Sequence, residues 1–166
     1  MRSFDPVAMF AALAHHDVRY VAIGGLAATL HGSPLTTGDL DICPADDREN
    51  LERLAGALEE LGARLFSDRE PDGVPLPADA RLLEQAAVWN LVTRFGRLDL
   101  SFQPAGTGGY SDLIRDAVTF RVENVEVTTA SLADVIRSKQ AAGRERDLQA
   151  LPTLRRLLDR MREDER

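Results

Sequence analysis

The chain has 166 residues, a length typical of one domain, and its 20 basic and 27 acidic side chains give a formal charge of −7. Apolar residues make up 44% and charged residues 28% of the chain, which is ordinary for a globular protein and excludes wholesale disorder. The acidic balance argues against broad nucleic-acid binding through net charge, and the single cysteine, Cys43, excludes an intramolecular disulfide and a cysteine-based zinc site.

Hydrophobic periodicity and turn-forming residues predict a mixed α/β chain. In the first half of the chain, the predicted elements are a helix over 6–16, a strand over 20–23, a short helix over 26–31, a strand over 40–43 and a helix over 46–61. In the second half they are a helix over 80–87, a hairpin of strands over 88–93 and 97–102, a helical turn over 111–116, a strand pair over 118–121 and 125–128, and helices over 131–142 and 148–161. Residues 67–78 are rich in proline, glycine and aspartate and are predicted to form a loop. We expect a single domain over residues 1–166, with residues 131–166 as a helical C-terminal subregion.

The start of the last predicted helix determines the expected positions of two residues in that helix. Asp147 is expected to cap the helix that begins at Leu148, because aspartate side chains accept from the free N–H groups of a first helical turn. Pro152 is expected near that first turn, where its missing N–H matters least.

Basic side chains are distributed unevenly along the chain. Residues 131–166 hold nine basic and seven acidic side chains, whereas residues 1–130 hold eleven and twenty. A partner that carries phosphate should therefore favour the C-terminal part, unless metal ions mask the acidic part. Lys139 is the only lysine, and it falls on the apolar stripe of the helix predicted over 131–142. There it either pairs with an internal carboxylate or places its charge on a phosphate.

Gly24 and Gly25 stand between a predicted strand and a predicted helix. Paired glycines let the backbone turn sharply and let a phosphate approach bare N–H groups at a helix start. The same pair also serves as an ordinary strand-to-helix turn. Close by in the sequence, the hydroxyl of Thr37 either bonds a phosphate or shapes its own turn.

Three aspartates lie on predicted strands. Asp39 and Asp41 are two residues apart and therefore share one face of their strand, where they either form a solvated face or bind a hard cation such as Mg²⁺. Asp99 lies in the middle of a later strand and either pairs with Arg97 or joins the other two carboxylates. If its strand lies next to residues 40–43, the three carboxylates converge and provide the ligands for metal-assisted phosphoryl transfer.

These motifs together resemble the signature of the DNA polymerase β-type nucleotidyltransferase superfamily, in which a hydrophobic-Gly-Gly element precedes Asp-x-Asp by a spacer of this length. The likeness is strongest to small prokaryotic members of the abortive-infection and toxin–antitoxin type. The residues that carry it are Ile23-Gly24-Gly25, His31-Gly32, Thr37, Asp39-Leu40-Asp41-Ile42, Asp99, and Ser138-Lys139 with Arg144, Arg146 and Asp147. One residue departs from the pattern, since such sequences often carry arginine where this chain has Leu35.

The resemblance implies a nucleotidyltransferase fold, a mixed sheet flanked by helices with a helical C-terminal part. It implies that Asp39, Asp41 and Asp99 bind two Mg²⁺ ions, with Mn²⁺ as an alternative, and carry the catalysis. Phosphate-binding roles follow for other residues: Gly24, Gly25, Thr37, Lys139, Arg144 and Arg146. The implied reaction moves a nucleoside monophosphate from a nucleoside triphosphate such as ATP to a hydroxyl group.

Several functional alternatives stay open at this point. Toxin-type relatives favour RNA or protein as the acceptor and a cognate antitoxin as a partner. A small molecule such as an antibiotic is another acceptor class. Leu35 favours instead a catalytically silent member that binds nucleotide or a partner protein as a regulator.

The sequence also carries expectations about location. No stretch approaches the about 20 apolar residues of a membrane span, and residues 1–17 lack the long apolar run of a signal peptide. We therefore expect a cytoplasmic protein without a membrane partner, an expectation that the single cysteine also favours.

Overall fold

A computed structural model describes residues 3–166 and contains a mixed β-sheet with helices packed on both faces. In chain order its elements are α1 (Pro6–His15), β1 (Tyr20–Ile23), α2 (Gly24–Leu30), β2 (Asp39–Pro44), α3 (Arg48–Glu60), β3 (Arg64–Leu65), β4 (Val74–Pro75), α4 (Ala80–Leu83), β5 (Val88–Thr93), β6 (Gly96–Ser101), α5 (Tyr110–Leu113), a 3₁₀ turn (Ile114–Asp116), β7 (Val118–Val122), β8 (Val125–Thr129), α6 (Leu132–Ala142) and α7 (Glu145–Asp164). The mixed α/β class that the sequence predicts is confirmed.

The strand order of the sheet is β4-β3-β5-β6-β2-β1-β8-β7, so β2 lies near its centre. β2 runs antiparallel to β1 and parallel to β6, although β6 is more than fifty residues away in the sequence. In this parallel pairing Asp41 is opposite Asp99, and Asp39 is opposite Arg97. The register therefore places all three predicted carboxylates on one small patch of the sheet.

Side-chain alternation along β2 divides the core into two apolar clusters. Leu40 and Ile42 join the cluster that α1, α3 and α4 cover, whereas Cys43 joins the cluster that α6 and α7 cover. Asp39 and Asp41 alternate with the leucine and the isoleucine, so they face the side of α6 and α7. Burial of each leucine in these clusters stabilises the fold by about 1.5–3 kcal/mol, which anchors the strand that carries the aspartates.

The segment predicted as a loop over 67–78 contains a short strand, so that prediction was wrong at Val74–Pro75. β4 pairs with β3, and the guanidinium of Arg64 donates to the carbonyl oxygen of Gly73 at 2.9 Å. Gly73 has a φ of +83°, which allows the sharp turn that brings the strand back. Tertiary contacts made by one arginine therefore order a segment whose composition is typical of a loop.

The helices α4 and α7 differ most from their predictions, by three or four residues at an end. α4 ends at Leu83, four residues earlier than predicted, because the indole N–H of Trp89 donates to the carbonyl oxygen of Leu83 at 3.3 Å. α7 begins at Glu145, so Asp147 lies inside its first turn and is not the cap. For the same reason Pro152 lies further inside the helix than its first turn. Within residues 3–166, no helix combines the length and the apolar composition needed to cross a membrane.

Candidate active site

Asp39, Asp41 and Asp99 converge on the face of the sheet that α6 and α7 cover. One carboxylate oxygen from each of the three lies within 4.8 Å of the others, and all three side chains are half-buried. The parallel register of β2 and β6 causes this convergence, as the sequence predicted for the case in which the two strands are neighbours.

Burial and the repulsion from neighbouring carboxylates disfavour the charged forms of Asp41 and Asp99. Burial, followed by the charges of Asp39 and Asp99, raises the pKa of Asp41 to about 7, and the positive charges of Lys139 and Arg146 oppose the shift. Burial likewise raises the pKa of Asp99. Because a divalent cation would offset this repulsion, and because carboxylate oxygens are the ligands that Mg²⁺ prefers, these residues fit a hard cation such as Mg²⁺ or Mn²⁺.

Arg97 holds the third carboxylate in place. Its guanidinium donates to Oδ1 of Asp99 at 2.9 Å and to the carbonyl oxygen of Leu91 at 3.2 Å, and its Cζ lies 3.7 Å from the ring centre of Phe66. From the sequence, a pair with Arg97 and convergence with the other aspartates are alternatives for Asp99. The structure contains both arrangements, because the two oxygens of one carboxylate can serve different neighbours.

The two glycines bring the start of α2 against the carboxylate strand. Gly24 has a φ of +70°, and a Cβ atom at this position would overlap Oδ2 of Asp41. A Cβ atom on Gly25 would lie 3.0 Å from Oγ1 of Thr37, whose hydroxyl lies 3.4 Å from Oδ1 of Asp39. Both glycines therefore leave backbone exposed next to the carboxylates, which is where a phosphate group could approach N–H groups.

Lys139 reaches the site from α6 and is paired there with a buried carboxylate. Its Nζ lies 3.5 Å from Oδ1 of Asp147, while Nε of Arg144 donates to Oδ2 of Asp147 at 2.7 Å. Asp147 is only 1% exposed, and burial alone would raise its pKa, but the hydrogen bond from Arg144 and the charges of Arg144 and Lys139 hold it below its ordinary value. Asp147 is therefore an internal counter-charge that positions the side chains of Lys139 and Arg144. This role was not predicted, because the local sequence around Asp147 is typical of a helix cap.

Among the described residues, two clefts meet at the aspartates and the basic side chains just described. The first cleft, about 480 Å³, has Gly25, Leu35 and Thr37 on one side and the helix α7 on the other. The second cleft, also about 480 Å³, is bounded by Phe66, Asn90, Arg97, Asp99 and Pro104. The residues common to both clefts are Gly24, Asp39, Asp41, Lys139, Arg144, Arg146 and Asp147.

All nine residues predicted for the site therefore line one cleft or both. Gly25 and Thr37 line only the first cleft, and Asp99 lines only the second. Leu35, the residue that departs from the pattern described above, lies in the first cleft with 41% of its surface exposed. His31, part of the sequence likeness, instead donates from Nε2 to the carbonyl oxygen of Ala130 at 2.8 Å.

Arg97 was predicted from the sequence as a partner of Asp99, whereas the contact of its guanidinium with Phe66 was not. Phe66 follows β3 and reaches the site only through the pairing of β3 with β5, for which the sequence has no local signal. An arginine two residues before a strand aspartate is a usable signal, because such residues share one face of the strand.

The chain matches no protein-family model, and no curated protein matches it in sequence. Solved structures do match its fold. The lincosamide antibiotic adenylyltransferase LnuA, in its lincomycin-bound crystal structure, aligns with a TM-score of 0.63 at 14% identity over 95% of this chain and 99% of LnuA. TM1012 from Thermotoga maritima, provisionally described as a nucleotidyltransferase, aligns with a TM-score of 0.53 at 16% identity over 96% of this chain and 97% of that one.

The antibiotic-resistance factor ANT(2'')-Ia aligns with a TM-score of 0.54 at 12% identity over 95% of this chain and 89% of its own. At these identities the likeness concerns the fold, and it extends over nearly the whole chain. The fold predicted from the sequence is therefore confirmed: the chain has the nucleotidyltransferase fold, with a mixed sheet and helices on both faces.

Proposed function

We propose that the protein is a metal-dependent nucleotidyltransferase. The observation that carries the proposal is the position of Asp39, Asp41 and Asp99, whose oxygens lie within 4.8 Å of one another where the two clefts meet. A nucleotide in one cleft and an acceptor in the other would both reach these carboxylates. The shared fold of LnuA and TM1012 supports the same chemistry.

The first cleft suits the nucleoside triphosphate. The half-buried backbone N–H groups at Gly24 and Gly25 and the hydroxyl of Thr37 can donate to phosphate oxygens. Lys139, Arg144 and Arg146 add three positive charges, which can neutralise the outgoing phosphates. With divalent cations bound, the carboxylates would no longer repel the triphosphate, so the three basic side chains could hold it beside them.

The reaction would occur at the boundary between the clefts. Asp39, Asp41 and Asp99 would hold the two divalent cations, which supply charge stabilisation at the α-phosphate when they are bound. The acceptor hydroxyl loses its proton towards Asp99, its oxygen bonds to the α-phosphorus, and the bond from that phosphorus to the oxygen bridging to the β-phosphate breaks. Pyrophosphate leaves, and the nucleoside monophosphate stays on the acceptor.

Two acceptor classes have separate support. RNA or protein, together with a toxin role and an antitoxin partner, rests on the sequence likeness to toxin-type members. A small molecule is supported by the second cleft, because about 480 Å³ is within the range of small-molecule sites. The fold match to LnuA, an antibiotic adenylyltransferase, favours this second class as well.

Incubation with each α-labelled nucleoside triphosphate, Mg²⁺ and a cell extract tests the proposal. We expect label to appear in RNA, in a protein band or in small molecules, and each location identifies an acceptor class. The chain carrying Asp39→Asn and Asp41→Asn should transfer none. Asp68→Asn, in the exposed segment after β3, is the matched control and should leave transfer unchanged.

A silent regulator of the same fold gives a different result. It would bind nucleoside triphosphate in calorimetry but release no pyrophosphate with any extract. The exposed Leu35, in place of arginine, is the observation in favour of this alternative. Transfer that is equal in the wild type and in the double aspartate variant would exclude the proposed enzyme.

A further inference from the structure

A second cluster of metal-ligating side chains lies outside both clefts, where the C-terminal ends of α1 and α3 meet. Nδ1 of His15 donates to Oε1 of Glu60 at 2.7 Å, and Nε2 of His16 lies 3.5 Å from the same oxygen. One ligand atom from each of the three residues lies within 4.8 Å of the others. None of the three residues borders the first or the second cleft.

One of these ligand atoms has no hydrogen bond within the described chain. Nε2 of His16 is shielded from solvent, and no partner among residues 3–166 meets hydrogen-bond geometry with it. A buried ring nitrogen is normally satisfied, so a group that completes its coordination would remove an energetic cost. Gly56 makes room for the ring, because a Cβ atom there would lie 2.9 Å from Nδ1 of His16.

We propose that His15, His16 and Glu60 bind a zinc-class cation that joins α1 to α3. Two imidazoles and one carboxylate form a common ligand set for Zn²⁺, with further positions left for water. Zinc–ligand bonds of about 2.0–2.2 Å imply ligand atoms roughly 3.3 Å apart in a tetrahedral site. The observed separations of 2.7 Å and 3.5 Å from Oε1 of Glu60 lie on either side of that value, and one ligand atom of each ring lies within 4.8 Å of one on the other ring.

The surroundings also favour a cation. His15 ends α1, and His16 is its C-cap residue, so both lie at the negative end of that helix dipole. When the ion binds, the hydrogen on Nδ1 of His15 moves to Nε2 of the same ring, and the freed lone pair becomes the ligand. The site therefore joins a helix end, two imidazole rings and one carboxylate, a ligand set that suits a borderline cation better than Mg²⁺.

Zinc titration of the full chain tests the site. Because Zn²⁺ can also bind the aspartates of the candidate active site, the titration needs a variant in which that second site is lost. The chain carrying Asp39→Asn and Asp41→Asn provides that background. We expect it to bind one Zn²⁺ in calorimetry and its melting temperature to rise by about 5 °C at a hundredfold excess over the dissociation constant. Adding His16→Gln should abolish both effects.

Matched controls separate this site from incidental binding. His31→Gln changes the remaining histidine, and Glu59→Gln changes the exposed neighbour of Glu60 on α3, so both should keep the bound zinc and the melting shift. Glu60→Gln should weaken zinc binding at least tenfold. Equal zinc binding with and without His16→Gln, or loss of zinc in the Glu59 control, would overturn the proposal and leave the cluster as a hydrogen-bonded pair. These readouts do not depend on nucleotidyl transfer.

Discussion

Gly24 packs against Asp41 so closely that any side chain at position 24 would overlap the carboxylate. Its φ of +70° is also a backbone conformation that L-residues rarely adopt. We therefore predict that Gly24→Ala lowers the free energy of unfolding by at least about 2 kcal/mol and displaces Asp41, with a large loss of nucleotidyl transfer. Urea denaturation checks the stability, since the fluorescence of the single, nearly buried Trp89 reports unfolding.

Gly25→Ala is the matched control for this prediction. No left-handed φ applies at Gly25, and a Cβ atom there would lie 3.0 Å from a rotatable threonine hydroxyl. The loss of stability should be clearly smaller than for Gly24→Ala. Equal losses for the two variants would contradict the role given to the Gly24–Asp41 contact.

Asp41 should make the metal-free protein less stable as the pH rises. Its pKa is raised from 3.8 to about 7 in the folded state, first by burial and then by Asp39 and Asp99. Between these values the folded protein binds a proton that the unfolded chain has released, so stability falls from about pH 4 to about pH 7. Urea titrations in EDTA should show this fall in the wild type, and added Mg²⁺ should reverse it at pH 7.

The variant Asp41→Asn removes the titrating group and the repulsion together. In EDTA at pH 7 it should be more stable than the wild type, and its stability should change less between pH 4 and pH 7, although it loses transfer activity. A steeper fall in this variant than in the wild type would show that Asp41 does not control the pH dependence.

Local sequence patterns were enough to predict most of the elements that carry the site. The alternation Asp39-Leu40-Asp41-Ile42 fixes which side chains face the core, because the leucine and isoleucine are fully buried. The sequence did not predict that β2 pairs with β6; it predicted only that the three carboxylates converge if the two strands are neighbours. The pairing depends on contacts between distant segments, which carry no local signal.

The remaining differences have specific physical causes. Asp147 is an acceptable cap in sequence, and only the packing of α6 against α7 shows that it is a buried partner of Lys139 and Arg144. The end of α4 depends on a hydrogen bond from Trp89, a residue six positions further on. Local propensity cannot include such contacts, so the errors occur at boundaries where tertiary hydrogen bonds compete with helix formation.

Asp147→Asn should destabilise the protein by about 2 kcal/mol, because it leaves the positive charge of Lys139 without its counter-charge in a site that is only 17% exposed. The comparison variant is Arg53→Gln, which breaks the surface pair with Glu49. These side chains are 39% and 71% exposed and can be solvated, so the change should cost less than 1 kcal/mol, which is roughly the value of an exposed pair. Urea denaturation of both variants measures the difference, and the reverse order would contradict the assignment of Asp147 as the buried centre of this cluster.

Lys139 should bind the triphosphate as well as pair with Asp147. It borders both clefts, and its charge lowers the pKa of Asp41, so it acts on the carboxylates and on any phosphate between them. Loss of one charged contact to phosphate costs about 1.5–3 kcal/mol, so Lys139→Gln should raise the KM for nucleoside triphosphate by at least about tenfold. Lys139→Arg keeps the charge on a wider, planar group and should show an intermediate KM.

Arg137→Gln, two residues earlier on α6 and paired with Asp112 and Asp134 at the surface, should leave KM unchanged. If Lys139→Gln also leaves KM unchanged while lowering stability, the lysine serves only the internal ion pair.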